Sequence, residues 1–402
     1  MIFDDGRGHL GPLVDLRASF EVRTGVHRLG ERIAASRPRS LAAYHVPEPL
    51  AALVAERADA PVNRLPEAEV VYLANGRWAR PDAAEPIEPG EAWLEGPTGD
   101  VIAALLRRAD AEYLLATGEL PERVRTRTSE DRRLLRHPWD VLTGLAETVE
   151  HDVLGLRLPD ALLPRDVADV MGDHPIELHA SATVGPRVVL DATNGPILVH
   201  ERATIRPGAI VVGPAAILAG ATVLEHALVK AATVVGPMCK VAGEIGGTVM
   251  QGFSNKGHDG HLGDAWVGEW VNLGAGTTNS NLLNTYGEVS VRTEPEGQRR
   301  RTGRTFVGCF LGDHVKTAIG TRIMTGTVIG TGAMVATSTP PPTTVRRFAW
   351  LVDGGGREAT FRWPRFEEAA RAMMARRGVE ASAAMLDRLR ALHERHAGGD
   401  AS

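Results

Sequence analysis

The sequence predicts a chain in three parts: an open α/β unit, then a parallel β-helix, then a C-terminal hairpin followed by helices. Two observations carry the prediction. Val199, Ile205, Val211, Ile217, Val223, Val229, Val235 and Val241 recur at a strict spacing of six. Glycine is also uneven, with 25 of the 44 glycines between residues 185 and 335, whereas 14 of the 25 prolines precede residue 170.

Composition sets the outer bounds. The 402 residues are 43% apolar and 24% charged, an ordinary globular balance long enough for two or three domains. A net charge of −5 provides neither the basic footprint of a nucleic-acid binder nor a charge block for a membrane surface. Cys239 and Cys309 alone cannot build a disulfide framework or a cysteine metal cluster, and they fit a reducing, cytoplasmic setting. The opening MIFDDGRGHL is acidic where a secretory leader is basic. Lysine is scarce: Lys230, Lys240, Lys256 and Lys316 are the only four among 45 basic residues.

Over residues 1–165 the pattern reads weakly as α/β. Glu69 to Leu73 reads as a strand, while Val101 to Leu106 and Trp139 to Glu150 read as helices. Residues 75–99, rich in Gly, Pro and acid, read as loop.

The six-residue period belongs to neither a helix, at 3.6, nor a plain strand, at 2. It is the signature of a coil with three short sides, in which the aliphatic residue of each hexad points inward and small residues turn the corner. Pro207 to Leu224 is eighteen residues without charge, near membrane-helix length, but its prolines and glycines argue against a helix. The period returns at Leu311, Ile323, Ile329 and Val335. Between the runs, at roughly 245–306, it breaks, which predicts a functional loop leaving the coil. The coil is expected over 174–340. Residues 346–402 follow as a hairpin around Asp353–Gly356 and two amphipathic helices, at 366–377 and 380–396, expected to cover the coil's open end.

The break holds the chemistry. Residues 252–287 include Lys256, His258, His261, Asp259, Asp264 and five asparagines, among them Asn272 and Asn281. Such a density of polar groups in a repeat of Val, Ala and Gly is costly unless exposed or used. Here the segments SNKGHDGHLGDAWVGEWVNLGAGTTNSNLLNTYG and GDHVKTAIGTRIMTGTVIG resemble the left-handed β-helix acyltransferases. They resemble most the acetyltransferase half of the bifunctional bacterial enzyme that makes UDP-N-acetylglucosamine. The whole chain resembles the sugar nucleotidyltransferases related to that enzyme, which join a short, degenerate nucleotidyltransferase-like domain to such a helix. The likeness is good over positions 170–340 and loose over positions 1–40.

The resemblance implies an acyltransferase of sugar-nucleotide metabolism, with acetyl-CoA as donor and a sugar phosphate or nucleotide sugar as acceptor. It implies a homotrimer, and the charge balance gives no expectation of a nucleic-acid or membrane partner. His258, in KGHDGHLGD, matches the family's catalytic histidine, and an imidazole suits the removal of a proton from an attacking amine near neutral pH. Asn272 and Asn281 match substrate-contacting positions. His261 stands where the family has tyrosine. Lys240 is the nearest candidate for the family's phosphate-binding lysine, and Lys256 and Lys316 lie inside the matching motifs.

At the N-terminus, Asp4-Asp5-Gly6-Arg7-Gly8-His9-Leu10-Gly11-Pro12-Leu13 is similar to the G-x-G-T-R-x-x-P-L loop that cradles nucleotide phosphates. Gly6, Arg7 and Gly8 are thereby implied in nucleotide binding, with Mg²⁺ as the accompanying ion. His9-Leu10 replaces Thr-Arg, and the lysine the family needs is missing, because none precedes Lys230. Arg17 or Arg23 is the available substitute, although arginine and lysine differ at a phosphate. Two other readings of the coil stand beside this one: a non-catalytic scaffold, and a zinc-dependent carbonic anhydrase-like site drawn from His200, His226, His258, His261 and His314.

Overall fold

The computed structural model describes residues 1–37, 40–81, 86–158, 161–354 and 359–397. Its N-terminal part is a six-stranded mixed sheet. The strands are β1 (Ile2–Phe3), β2 (Tyr44–His45), β3 (Val70–Asn75), β4 (Glu91–Glu95), β5 (Val101–Arg107) and β6 (Arg125–Ser129), in the order β2-β1-β3-β5-β4-β6. The helices are α1 (Leu29–Ala35), α2 (Glu48–Ala55), α3 (Arg108–Thr117) and α4 (Leu145–Gly155).

Two expectations fail here. Val101 to Leu106 is a strand, not a helix, and residues 91–95 within the expected loop form β4. The apolar residues of β5 lie between β3 and β4, and a short run apolar on both sides has no period to separate strand from helix. Trp139 to Glu150 divides into a 3₁₀ turn, Pro138–Leu142, and α4.

The middle of the chain is a parallel β-helix with three faces. The first face runs from Asp169–Met171 to His261–Gly263, the second from Ile176–Leu178 to Thr344–Val345 over nine strands, and the third begins at Thr183–Val184. Pairing is in register, at 20 or 21 residues per turn where the coil begins, as in Ile176 to Ile197, and at eighteen from there, as in Ile197 to Ala215. The eight hexad residues are fully buried in one core. The apolar run Pro207–Leu224 is coil, not membrane helix, and no described helix is long and apolar enough to cross a membrane.

The break at 245–306 is not one loop. The coil continues through it with shortened turns: Val234 pairs with Val249 and Val249 with Trp266. Then Trp266 pairs with Phe310, so one turn takes 44 residues in place of eighteen. The excess is an excursion after Asn279 that carries a small hairpin, Ser290–Val291 against Arg300–Arg301, and rejoins the coil at Val307.

The corner between the second and third faces repeats a left-handed backbone at Arg202, Met238, Phe253, Trp270, His314 and Phe348, with φ of 53° to 61°. Each such residue is strained by about 1–2 kcal/mol. Gly332 takes the same corner at φ 74°, where a Cβ would strike the Phe348 ring at 2.6 Å.

The second face is buried on its outside too. Leu198, Val234, Trp266, Phe310 and Val328 point outward into a cluster with Leu13, Val26, Trp139, Leu145 and Val149 of the N-terminal part. Polar contacts fasten the same seam: Arg17 to Asp313 at 2.6 Å, the Trp266 indole N–H to the Arg23 carbonyl, and the Gln251 amide to the Glu21 carbonyl.

The C-terminal helices α5 (Trp363–Ala375) and α6 (Ala383–Ala397) do not cover the coil's end as expected. They lie along its side, on the aromatic corner: Phe366 packs on His314 and Phe348, and Met374 and Leu386 on Trp270. What finishes the third face is the hairpin, whose strand Ala349–Val352 pairs with Ala359–Thr360. The hairpin's turn, 355–358, lies outside the described residues.

Candidate functional site

The corner between the third and first faces is bare. Arg206, His226, His258, Asp259 and Ile319 are exposed along it. Between Asn255–Lys256 and His261–Gly263 it is the four-residue loop Gly257-His258-Asp259-Gly260, which carries His258 outward, where the turn before it has only Ala242-Gly243.

Lys256 explains why this loop has one shape. It occupies the inward position that Val223 and Val241 hold in the turns before it. Its side chain is 1% exposed, and its ammonium donates to the carbonyls of His258 at 2.6 Å and Asp259 at 2.7 Å. Burial pushes its pKa down to about 8. Lys256 is therefore no free substrate contact. It is a positioning residue that ties down the backbone on which His258 stands.

Three residues singled out separately share one row on the third face: Lys240 lies beside Asn255, Asn255 beside Asn272, and Asn272 beside Lys316. Asn272 is exposed and its side-chain oxygen accepts from Asn255 at 3.4 Å. Lys316 is half-buried, and burial lowers its pKa to about 8. Neither Asn255 nor Arg377 is among the residues expected from the sequence. The Arg377 guanidinium, just beyond α5, donates to the Asn255 carbonyl oxygen at 2.6 Å and so fixes that amide's orientation. The coil register gives Asn255 away, since it falls where Lys240 and Asn272 fall in neighbouring turns; nothing in the sequence marks Arg377.

His261 and Asn281 sit instead on the first face, around the corner from that row. Their side chains flank Gly263, where a Cβ would lie 2.5 Å from the His261 ring and 2.9 Å from the Asn281 amide. Asn281 donates to Asp264 at 2.7 Å, and burial raises the Asp264 carboxyl. His258 thus stands at the edge between two polar surfaces, one of Lys and Asn and one of His, Asn and Asp. As for zinc, no group of three His, Cys, Asp or Glu among the described residues is placed to hold a metal. His314 is buried in the aromatic corner, with neither ring nitrogen hydrogen-bonded.

The N-terminal loop follows β1, at the end of strands where α/β sheets bind ligands. Asp4 accepts from the backbone N–H groups of Gly6 and Ser19, and Asp5 from that of Arg7. The loop therefore directs two of its own amides to its own carboxylates, and those amides do not form the open cradle expected of it. Arg77 is buried between Asp5, at 2.6 Å, and Asp100, at 2.7 Å. Burial alone raises the Asp5 carboxyl, but Arg77 and Asn75 outweigh it and hold it low. Arg7 donates to Asp100 and to the Gly118 carbonyl. Gly6 needs its left-handed φ of 63°, and a Cβ on Gly8 would meet Arg77 at 2.9 Å. A cavity of about 300 Å³ opens on one side of the loop, lined by Asp5, Arg7, His45 and Thr117.

Arg17 is not a phosphate cation. Its guanidinium is 1% exposed and bound to Asp313 and the Leu13 carbonyl, inside the seam between domains. Arg23 is buried in the same seam. Nor do the residues present build a Mg²⁺ site: Asp4 is engaged by backbone amides, and Asp5 and Asp100 by Arg77.

Residues 1–157 match the family described as sugar nucleotidyl transferase. A bifunctional sugar-1-phosphate nucleotidylyltransferase/acetyltransferase of Sulfurisphaera tokodaii is 38% identical over 87 residues, 22% of this chain and 21% of its own length. The bifunctional protein GlmU of Nitratidesulfovibrio vulgaris strain Hildenborough is 24% identical over 251 residues, 50% of this chain and 51% of its own. The chain thus spans between a fifth and a half of the length of these relatives. Among solved structures, the acetyltransferase domain of PglB from Neisseria gonorrhoeae overlaps 67% of this chain and 98% of its own at 15% identity, with a TM-score of 0.11, too low to carry weight.

Proposed function

We propose that this chain is a transferase of sugar-nucleotide metabolism whose β-helix moves an acyl group from acyl-CoA to an amine or hydroxyl of a sugar phosphate or nucleotide sugar. The observation that carries the reading is His258, held out at a bare corner by a buried lysine and flanked by Lys240, Asn272 and Lys316 on one side and His261 and Asn281 on the other. His258 takes the proton that the acceptor loses as it attacks the thioester. The asparagines orient the acceptor, and the half-buried Lys316 meets an anionic group. The carbonyl carbon leaves sulfur for nitrogen or oxygen, and CoA departs as the thiol. Acetyl-CoA is the donor to test first, as the relatives' names suggest.

The N-terminal domain handles the phosphorylated partner of the same pathway, and the family match over residues 1–157 supports this. The proposed assembly is a homotrimer, in which bare corners of neighbouring coils face one another. Light scattering at three times the 43.0 kDa chain mass would support it.

Replacing His258 by Ala tests the reading. With acetyl-CoA and a panel of amino-sugar phosphates, turnover should fall about 10²- to 10⁴-fold, the usual contribution of a placed general base. Turnover unaltered by the change would remove His258 from the chemistry. A wild-type chain inert with every acceptor would favour a scaffold.

A further inference from the structure

The N-terminal loop lacks the cation that a phosphate-binding loop requires. Arg7 and Arg77 are already matched to Asp5, Asp100 and the Gly118 carbonyl. Arg17 is sealed in the domain seam. Yet a second cavity, of about 160 Å³, opens on the other side of the same loop. Its lining joins distant parts of the chain: Gly6, Gly8 and Ser19 from the N-terminus, and Arg388 and Arg395 from α6.

The two arginines are seven residues apart, two helical turns, and so project from one face of α6. The neighbouring face carries Leu386, Leu389 and Leu392 into the protein and fixes the helix in place. Arg388 donates its Nε to the Asp15 carbonyl at 2.9 Å. Its two terminal nitrogens, and all of Arg395, have no hydrogen-bond or ion-pair partner among the described residues. Ser19 is 2% exposed, and its hydroxyl lies beside the Asp4 carboxylate. Asp4 is the carboxylate on this cavity, and it is engaged by two backbone amides. A pair of guanidinium groups with free donors around a small cavity makes a receptor for a compact, multiply charged oxyanion.

We propose that α6 supplies the missing cation: Arg388 and Arg395 hold a phosphate or pyrophosphate group against Gly8 and Ser19, so the N-terminal anion site is completed by the C-terminal helix. The inference rests on the N-terminal domain handling a phosphorylated ligand. The volume suits a pyrophosphate, with the remainder of a nucleotide or sugar left to the neighbouring cavity.

Inorganic pyrophosphate is the probe, titrated calorimetrically into the full chain at low salt. Wild type should bind saturably, one per chain. Arg395→Ala and Arg388→Gln should each weaken binding by about tenfold or more, as charge-assisted hydrogen bonds do. Gln keeps a donor for the Asp15 carbonyl, and an unchanged melting temperature would show the fold intact. Arg390→Ala removes the same charge from outside the cavity, where Arg390 pairs with Glu367 and lies over Trp363, and should change binding less than about twofold, since a charge already matched and away from the cavity is screened. Absence of saturable binding, or equal binding by the Arg388→Gln/Arg395→Ala double variant, would overturn the proposal. Pyrophosphate binding that needs both arginines, in a protein that never releases pyrophosphate from UTP and a sugar phosphate, keeps the site and removes nucleotidyl transfer. Turnover of UTP that survives the double variant does the reverse.

Discussion

Changing Lys256 to Met should make the protein more stable and less active. The side chain fills an inward coil position, where Val241 and Leu273 stand in adjacent turns. A pKa pushed from 10.5 to about 8 by burial means that keeping that ammonium charged in the fold at pH 7 costs about 3 kcal/mol. Met is nearly isosteric and carries no such cost. Against that gain stand the hydrogen bonds to the His258 and Asp259 carbonyls, worth about 1.5–3 kcal/mol each in burial. Here the loss is smaller, because both residues are exposed and water can take over. The net is a stabilisation of about 1–2 kcal/mol, the burial cost less the residual worth of the two bonds. The sign with pH follows from linkage. Between pH about 8 and 10.5 the unfolded lysine holds a proton that the folded one has released, so wild-type stability rises across that window. Lys316 titrates in the same window, so the informative quantity is the difference between wild type and variant. Urea unfolding at a series of pH values should show the variant's advantage at pH 7 turning into a deficit of about 1–2 kcal/mol by pH 10.5, as wild type sheds the charging cost and keeps the two hydrogen bonds, while acyl transfer falls about 10- to 100-fold as the loop beneath His258 loosens. A variant less stable than wild type at pH 7 by about 2 kcal/mol, the full worth of a charged hydrogen bond, with a parallel pH curve, would refute the assignment of Lys256 as a strained positioning residue.

Three further outcomes are expected. His258→Ala should leave the urea midpoint within the equivalent of about 0.5 kcal/mol, because the side chain is exposed, so its loss of turnover cannot come from unfolding. Trp266→Ala opens the seam between the domains and abandons the bond to the Arg23 carbonyl; about 3–5 kcal/mol should be lost, and limited proteolysis should begin to separate residues 1–157 from the coil. Arg17→Met should cost about 3–5 kcal/mol by leaving Asp313 buried without its partner, and adding Asp313→Asn should recover part of it in a double-mutant cycle.

The coil is legible because its period is set by inward packing alone. Val199 through Val241 are selected for one geometry, and no competing structure repeats at six. The outer side of the second face leaves a trace as well: Ile197-Leu198-Val199, Ala215-Ala216-Ile217 and Phe310-Leu311 are apolar in consecutive positions, whereas a face toward water alternates. Strand β5 resembles a helix in sequence for the same physical reason, because burial on both sides erases the period. Lys256 stands out for its rarity and family position, yet its role depends on register. Only the pairing of Val241 with Lys256 shows that the lysine points inward. Arg388 and Arg395 stand at the opposite end of the chain from the loop they approach, and no local pattern links them.

The covering of the coil decides where chemistry is possible. A three-sided coil begins with three equivalent corners, and the sequence treats them unequally. The second face is closed by the N-terminal domain through Trp266 and Phe310. Its corner with the third face is closed by α5 and α6, through Trp270, His314 and Phe366. The aromatic residues at left-handed positions make that second closure possible, because they aim large rings outward where a helix can lie on them. The corner between the third and first faces receives no such cover, and it carries His258. An exposed histidine alone would mean little. A buried charge maintained beneath it, at a cost that an aliphatic residue would avoid, means that the loop's shape is worth more to this protein than the stability it forgoes.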